Sequence, residues 1–340
     1  MANETNRNRR SSGRVTLADV AKVVGVGQMT VSRALRTPEM VSEPLRKRIE
    51  EAVIELGYIP NFSARQLASA ESHNLVIVTT SISSTENTLI LSALRKSVAD
   101  SALQMVILIA DQESWFQELI NHAPQAIVFL NLDCPPNARE WIKNSNIPTV
   151  EIGAIKQEPI HLSVGIDSRE AMEEMIRFLV KKGYREIGLL LAKQDLSIFK
   201  QYLESWHTTL FAHHIDPLKI HYIAEDISFS AGATLLTEAL LNWEAIDALV
   251  FLSDELACGA LYEALRRHIS VPKDIAIAGL GGLEVGSISY PKLTTIAIPY
   301  EQMGKIAGKH LLTLLSGKTL SAEEMIVKLP IKLLVRDSTK

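Results

Sequence analysis

Apolar residues near the start of the chain fall at helical spacing. Leu17, Val20, Ala21 and Val24 stand at i, i+3, i+4 and i+7, so they share one face of a short helix. Thr16 before them, with Asp19 three positions on, has the form of a capping box, and Gly25-Val26-Gly27 supplies a sharp turn after them. A second helix is expected from Gln28 to Leu35, with Val31, Ala34 and Leu35 turned inward together with Val26 of the turn. That leaves Gln28, Met29, Thr30, Ser32 and Arg33 facing outward. Ser42, with Pro44 behind it, opens a third helix whose Leu45, Ile49, Val53 and Leu56 share a face before Gly57 stops it. Two helices across a tight turn plus a third that closes a small core have helix-turn-helix spacing.

The pattern changes beyond residue 72. Short runs rich in Val, Ile and Leu recur every 20 to 30 residues or so: Leu75 to Val78, Met105 to Ala110, Ala126 to Leu130, Thr149 to Ile152, Ile187 to Leu191, His221 to Ala224, Ala248 to Leu252 and Ile275 to Leu280. Helical stretches such as Ala171 to Lys182 and Leu256 to Arg267 lie between most of them. This alternation predicts parallel βαβ sheets, and the length of the region suits two of them. The fold class expected is therefore α/β, with an all-α helix-turn-helix headpiece at the N-terminus. Ligands of such sheets bind outside the carboxyl ends of the strands.

Charge sharpens the division. The 340 residues carry a formal net charge of −4, but residues 1–70 hold 11 Lys+Arg against 7 Asp+Glu, hence +4, and the remainder holds 24 against 32, hence −8. A small basic end on a large acidic body fits a nucleic-acid-binding module joined to a separate domain, with phosphate attraction concentrated at that end. The outward types of the second helix suit DNA: amides and Arg read base edges, and small hydroxyls reach phosphates. At 47% apolar and 22% charged residues the composition is that of an ordinary globular chain. No apolar run reaches the roughly 18 residues of a membrane span, and the polar opening residues lack a secretory signal. With two lone cysteines, Cys134 and Cys258, these features predict a cytoplasmic protein with thiols rather than disulfides.

Enzymatic signatures are missing their key positions. Glu284 stands where the dinucleotide fingerprint beginning at Gly279 needs its third Gly, and Leu312 where a phosphate loop ending at Lys318-Thr319 needs its first. There is no Gly-x-Ser-x-Gly elbow, the two cysteines make no zinc pair, and His213-His214 reads as a solvated helix end. Neither a cofactor, a metal nor catalysis is expected.

The runs Thr16-Leu17-Ala18-Asp19-Val20-Ala21, Gly25-Val26, Thr30-Val31-Ser32-Arg33-Ala34-Leu35, Gly57-Tyr58-Ile59-Pro60-Asn61 and Ala64-Arg65-Gln66-Leu67 resemble the headpiece of the lactose-repressor/galactose-repressor family, in order and at its spacing. Carried across, the resemblance puts Gln28, Met29 and Arg33 at base edges in the major groove and Thr30, Ser32 and Asn61 on phosphates. Leu67 becomes an apolar wedge in the minor groove, and Thr16, Tyr58 and Arg65 complete the DNA-facing set. Gly27 stands where the family usually opens its second helix with Ser or Thr. Residues 1–14 are then a disordered basic arm, 15–60 the DNA-binding domain and 61–72 a hinge helix that forms only on docking.

Further landmarks extend the resemblance over the body: Val164-Gly165-Ile166-Asp167, Leu249 to Asp254, Val271 to Leu280, Leu293-Thr294-Thr295-Ile296 and Leu334 to Thr339. They imply a periplasmic-binding-protein-like effector and dimerisation domain over 73–340, made of two Rossmann-like lobes. One lobe would span about 73–166 and 299–322, the other about 167–298 and 323–340, with crossings near Asp167, near Ile298 and within Ser321 to Val327. The effector cleft mapped by resemblance holds Ser83, Ser84, Asp167, Tyr202, Trp206, Phe229, Ser253, Asp254 and Gly282. Asp254 is read either as an acceptor for sugar hydroxyls or as a helix N-cap.

Several cleft positions depart from the family pattern. Ser83-Ser84-Thr85-Glu86 replaces Asn-Pro-Phe-Phe, Tyr202 and Ser205 replace Arg and Gly, Ser253 replaces Asn, and Gly282 replaces an acidic residue. Local runs such as Arg36 to Ser42 and Pro148-Thr149-Val150-Glu151 resemble the gluconate-utilisation repressors of enteric bacteria. The resemblance implies a repressor of a carbohydrate or sugar-acid operon that binds a pseudo-palindromic operator on double-stranded DNA as a homodimer. With four residues after Arg336, no tetramerising tail is expected. Its effector would be a sugar acid or sugar, gluconate leading, with Lys200 or Arg169 as the cation a sugar acid needs. The alternatives are an effector-independent regulator with a decayed cleft and a sugar-binding α/β protein that does not act on DNA.

Overall fold

The computed structural model describes residues 15–58, 72–110, 114–193 and 196–339. Contacts divide the chain into two compact units, Met1–Glu71 and Ser72–Lys340. The expected hinge positions Asn61, Arg65 and Leu67 and the basic arm lie outside the described residues.

In the first unit, α1 (Leu17–Val24), α2 (Gln28–Arg36) and α3 (Glu43–Leu56) close around Val20, Ala21, Val24, Val31, Ala34, Ile49 and Ala52, all buried. The start of α1 is held by Asp19, whose carboxylate accepts from the Thr16 backbone N–H at 2.8 Å and from its hydroxyl at 2.7 Å. Gly25, at φ 75°, ends the helix in the left-handed region that a side chain would resist. The guanidinium of Arg48 donates to the last-turn carbonyl of Val24 at 3.0 Å and so fastens α3 to α1. Val26, Leu35, Leu45, Val53, Leu56 and Tyr58 pack around this core.

The second unit contains two six-stranded sheets. The first runs in the order β11 (Ile326–Lys328), β5 (Leu162–Ile166), β4 (Thr149–Ala154), β3 (Ala126–Leu130), β1 (Asn74–Thr79), β2 (Gln104–Ile109), and its pairings are all parallel. The second runs β12 (Lys332–Leu334), β10 (Thr294–Ala297), β9 (Ala276–Gly281), β8 (Ala248–Phe251), β6 (Ile187–Leu191), β7 (Ile220–Tyr222), parallel except for the antiparallel edge strand β12. Central strands such as β3 and β6 are buried along their whole length, which is why they read as unbroken apolar runs rather than alternating ones.

Helices cover both faces. They are α4 (Thr85–Ser97), α5 (Trp115–Asn121), α6 (Pro136–Ser145), α7 (Ser168–Lys181), α8 (Leu196–Ala212), α9 (Phe229–Asn242), α10 (Asp254–Arg266), the short α11 (Glu284–Ile288), α12 (Tyr300–Leu315) and α13 (Ala322–Met325). The pairs α4 with α12, α7 with α8, and α9 with α10 pack most closely. Gly232 and Gly259 permit the last of these: a Cβ on Gly259 would come within 2.0 Å of the Phe229 carbonyl oxygen.

The chain passes between lobes three times: at Asp167, where α7 leaves the first sheet, at Ile298 before α12, and at 329–331 between β11 and β12. The third crossing falls later than the expected stretch 321–327, because Ile326, Val327 and Lys328 add an edge strand to the first sheet by pairing with β5. No helix among the described residues is long and apolar enough to cross a membrane.

Candidate functional site

In the headpiece the candidate interface is the outer face of α2. Gln28, Met29 and Arg33 are exposed, while Thr30 and Ser32 are half-buried at its margin. Met29 is 75% exposed, which leaves an apolar side chain on the outer face that can contact a thymine methyl. Arg33 makes no ion pair among the described residues, so its guanidinium fork is free for a base edge. By contrast Arg46 and Lys47 on α3 are engaged with Glu50 and Glu43 at 3.6 and 3.4 Å. Gly27 gives α2 no side-chain cap. The start of α2 therefore keeps backbone N–H groups available to an anion. Thr16 is exposed but occupied by Asp19, and Tyr58 is half-buried against the headpiece core.

In the body the candidate site is a cavity of about 170 Å³, open to solvent at its mouth. Its position follows from the strand orders. In the first sheet the order reverses between β1 and β3, and in the second between β6 and β8. Backbone groups at such switch points have no crossover covering them, so a crevice forms at the carboxyl ends. The wall contains Thr80 and Ser81 after β1, Asn131 after β3, Lys193 after β6 and Leu252 after β8.

The wall from the first lobe is a hydrogen-bonded set. Ser84 caps α4 by accepting from the Asn87 N–H at 3.2 Å. The Asn87 amide donates to the Ser81 carbonyl at 2.8 Å and accepts from the Asn131 amide at 2.7 Å. Asn131 sits at φ 50°, and a side chain at Gly153 opposite would strike its Oδ1 at 2.3 Å. Glu86 follows Thr85 at the start of α4 and is buried. The Ser253 hydroxyl of the other lobe donates to its Oε1 at 3.4 Å, while its buried Oε2 has no partner among the described residues. Burial, with Glu255 and Asp254 nearby, raises the Glu86 pKa above the ordinary carboxylate range. Tyr202 and Tyr300 complete this end; burial pushes the Tyr202 phenol up to about 12 and the Tyr300 phenol well above its usual value. Lys193 and Asp226 form the rim, 3.9 Å apart and largely exposed.

Of the residues expected in the cleft, Ser83, Ser84 and Tyr202 line this cavity, and the other six do not. Trp206 is fully buried with its indole N–H on the Pro217 carbonyl at 2.9 Å, so α8 presents Tyr202 to the cavity and Trp206 to the core. Asp167 caps α7, accepting from the Arg169 and Glu170 N–H groups, and Lys328 lies 3.5 Å away; its neighbours Ile166 and Ser168 are the ones on the wall. Phe229 begins α9 and packs against Tyr262 with ring centroids 6.3 Å apart and planes tilted by 60°, whereas Asp226 and Ile227 before it face the cavity.

Ser253 is the N-cap of α10, accepting from the Glu255 N–H. Neither reading of Asp254 holds, since that carboxylate is the first helical residue and is turned into the lobe. It accepts from the Leu283 N–H at 2.7 Å and the Thr295 hydroxyl at 2.5 Å, and burial raises its pKa to about 6. Gly282, at φ 74°, lies against Ala297 in the loop that Asp254 anchors. Nor do the expected cations reach the wall: Arg169 pairs with Glu204 at 2.6 Å and Lys200 does not line the cavity. Asn131 and Lys193 follow strands already visible in the sequence, so the carboxyl-end rule could have found them; Glu86, Asn87 and Tyr300 needed the helix packing.

Residues 16–61 match the model of bacterial regulatory proteins of the lacI family, and residues 176–339 that of the periplasmic binding protein-like domain. The chain is 31% identical over 318 residues to the HTH-type transcriptional regulator GntR of Escherichia coli (strain K12), a match that covers 91% of this chain and 94% of that one. Among solved structures, a Lacl family transcriptional regulator from Silicibacter pomeroyi superimposes with a TM-score of 0.85 at 27% identity, over 95% of this chain and 99% of that one. The lac repressor dimer bound to operator shares the fold, with a TM-score of 0.74 at 24% identity over 96% of this chain and 99% of that chain.

Proposed function

Because the chain belongs to the lacI family of bacterial regulatory proteins, and is a DNA-binding transcriptional regulator, we propose that it represses a carbohydrate or sugar-acid operon and is released by a ligand held in the body cavity. The observation that carries this reading is the cavity itself: a sugar-sized space, lined by hydroxyl, amide and charged groups among apolar ones, at the switch points of both sheets, on a chain that also presents an exposed helix-turn-helix face. The operator is pseudo-palindromic and the protein acts on it as a homodimer in the cytoplasm, since two-fold symmetry in the protein demands it of the site. Gln28, Met29 and Arg33 read bases, and Thr16, Thr30, Ser32 and Tyr58 serve the backbone, together with the hinge residues Asn61, Arg65 and Leu67.

The leading ligand is a sugar acid such as gluconate. Its carboxylate would meet Lys193 at the rim, displacing Asp226, and its hydroxyls would meet Ser83, Ser84, Asn87, Asn131 and Tyr202. A neutral sugar is the second reading, favoured by the fact that Lys193 is already paired with Asp226. In vitro selection of bound DNA, repeated with and without gluconate, tests the proposal. Recovery of a symmetric sequence whose binding weakens with gluconate is expected; no enriched sequence, or one indifferent to every sugar and sugar acid, would overturn it.

A further inference from the structure

On the first-lobe wall one buried side-chain oxygen is left without a partner among the described residues. The Asn131 amide donates to Asn87, whose own N–H is capped by the Ser84 hydroxyl, and Ser84 also acts on the Glu86 carboxyl. Glu86 alone keeps a buried oxygen, Oε2, without a donor among the described residues, and it does so on the cavity wall. A carboxylate oxygen removed from water and left unpaired is costly, so such a group implies a donor that arrives later. Its other oxygen already reaches across the cleft to Ser253, and the adjacent Thr85 hydroxyl donates to Glu255 of the same helix α10.

We propose that Glu86 is the specificity-determining residue of the cavity, its free Oε2 accepting from a hydroxyl of a polyhydroxylated ligand and linking that hydroxyl, through Ser253, to the second lobe. This rests on the reading of the cavity as an effector site and deepens it: the hydroxyl chain, rather than the carboxylate, meets Glu86. The alternative orientation would set a ligand carboxylate against Glu86, with Glu255 and Asp254 on α10 adding repulsion and with Tyr202 on α8 and Tyr300 on α12 as the facing phenols. Lys193 and Asp226 remain the charged pair at the rim.

The two orientations have opposite proton signatures. A hydroxyl that donates to Glu86 favours its ionised form, so binding releases protons and tightens as pH rises through the Glu86 pKa. A ligand carboxylate against it disfavours that form, so binding takes up protons and weakens over the same range.

The test is calorimetric titration of the full-length protein and Glu86→Gln with gluconate, glucitol, adipate and 1,6-diaminohexane, between pH 5 and 8 in buffers of different ionisation heat. Expected are binding of gluconate or glucitol with proton release, affinity rising with pH, and a loss of about 10- to 100-fold in Glu86→Gln with the pH trend flattened. Gluconate binding that is unchanged in Glu86→Gln, or that weakens as pH rises, overturns the inference and leaves the sugar-acid reading in place. Glucitol bound in a Glu86-dependent way without gluconate keeps the inference and removes that reading. Preference for adipate or the diamine, or binding of no probe, overturns both. Removing a buried unpaired charge should leave the thermal midpoint at or above wild type; were Glu86→Gln unable to fold, the sign of the wild-type proton exchange decides alone.

Discussion

The headpiece and the body solve recognition in opposite ways. In the headpiece the residues proposed to read DNA stand outside a small core: Gln28, Met29 and Arg33 are exposed on α2 while Val31 and Ala34 of the same helix hold it down. Recognition there is an outer face, set by helical periodicity alone. In the body the proposed ligand contacts line an internal space assembled from segments as distant as Ser83, Asn131, Lys193 and Tyr300. A surface helix can therefore change its reading residues at little cost to its core. A cavity wall cannot, because Asn87, Asn131 and Gly153 fit one another.

The largest effect expected from this contrast is thermodynamic separation of the units. Ile49→Ala empties the centre of the headpiece core and should cost that unit about 2–5 kcal/mol, enough to abolish DNA binding at ordinary temperatures. Ligand binding and the melting of the body should be unchanged. Calorimetric melting that shifts both units together would break the comparison.

Next in size is the pH response of the body. Asp254 has its pKa raised by burial to about 6, so between the unfolded value near 4 and that figure the folded protein holds the extra proton. Its contribution therefore turns against folding as pH rises through this window. The stability difference between wild type and Asp254→Asn should move against wild type by about 2–3 kcal/mol from pH 4 to pH 7, measured by urea unfolding of the body. A difference that stays flat would mean that the carboxylate is not buried as described.

Arg33→Ala acts only through the DNA. It should relax preference at one base position by about 1–3 kcal/mol and leave other positions unchanged. An equal loss on specific and random DNA would make Arg33 a phosphate contact. The smallest effect is at Gly27, which caps α2 in extended geometry with open space where a Cβ would stand. Gly27→Ser should gain a few tenths of a kcal/mol in headpiece stability and tighten DNA binding. A loss on melting would show that the glycine is needed for the turn.

What could be read in advance follows the same division. The three headpiece helices, their caps at Thr16, Gly25 and Gly57, and the outward set on α2 are local properties, and so is the alternation of strands and helices. The cleft depends on register and packing. Resemblance put Trp206 beside Tyr202 in the cleft, but four residues along a helix left one at the cavity and the other on the Pro217 carbonyl in the core. Asp254 stood at a strand end, where a ligand contact is reasonable, yet the Leu283 N–H and Thr295 claimed it. Glu86 lay within a departure from the family pattern, but its burial against α10 and α12 came from helix packing that no local run encodes.

Operator affinity controlled by ligand in the body cavity is the central claim, and one titration tests it directly. Fluorescence anisotropy of the full-length protein on a duplex recovered by selection, at fixed salt, should show binding about a thousand-fold or more tighter than to random DNA. Saturating gluconate should weaken it by about 5- to 150-fold. Equal affinity for selected and random duplex, or specific binding that no sugar or sugar acid alters, would contradict the account.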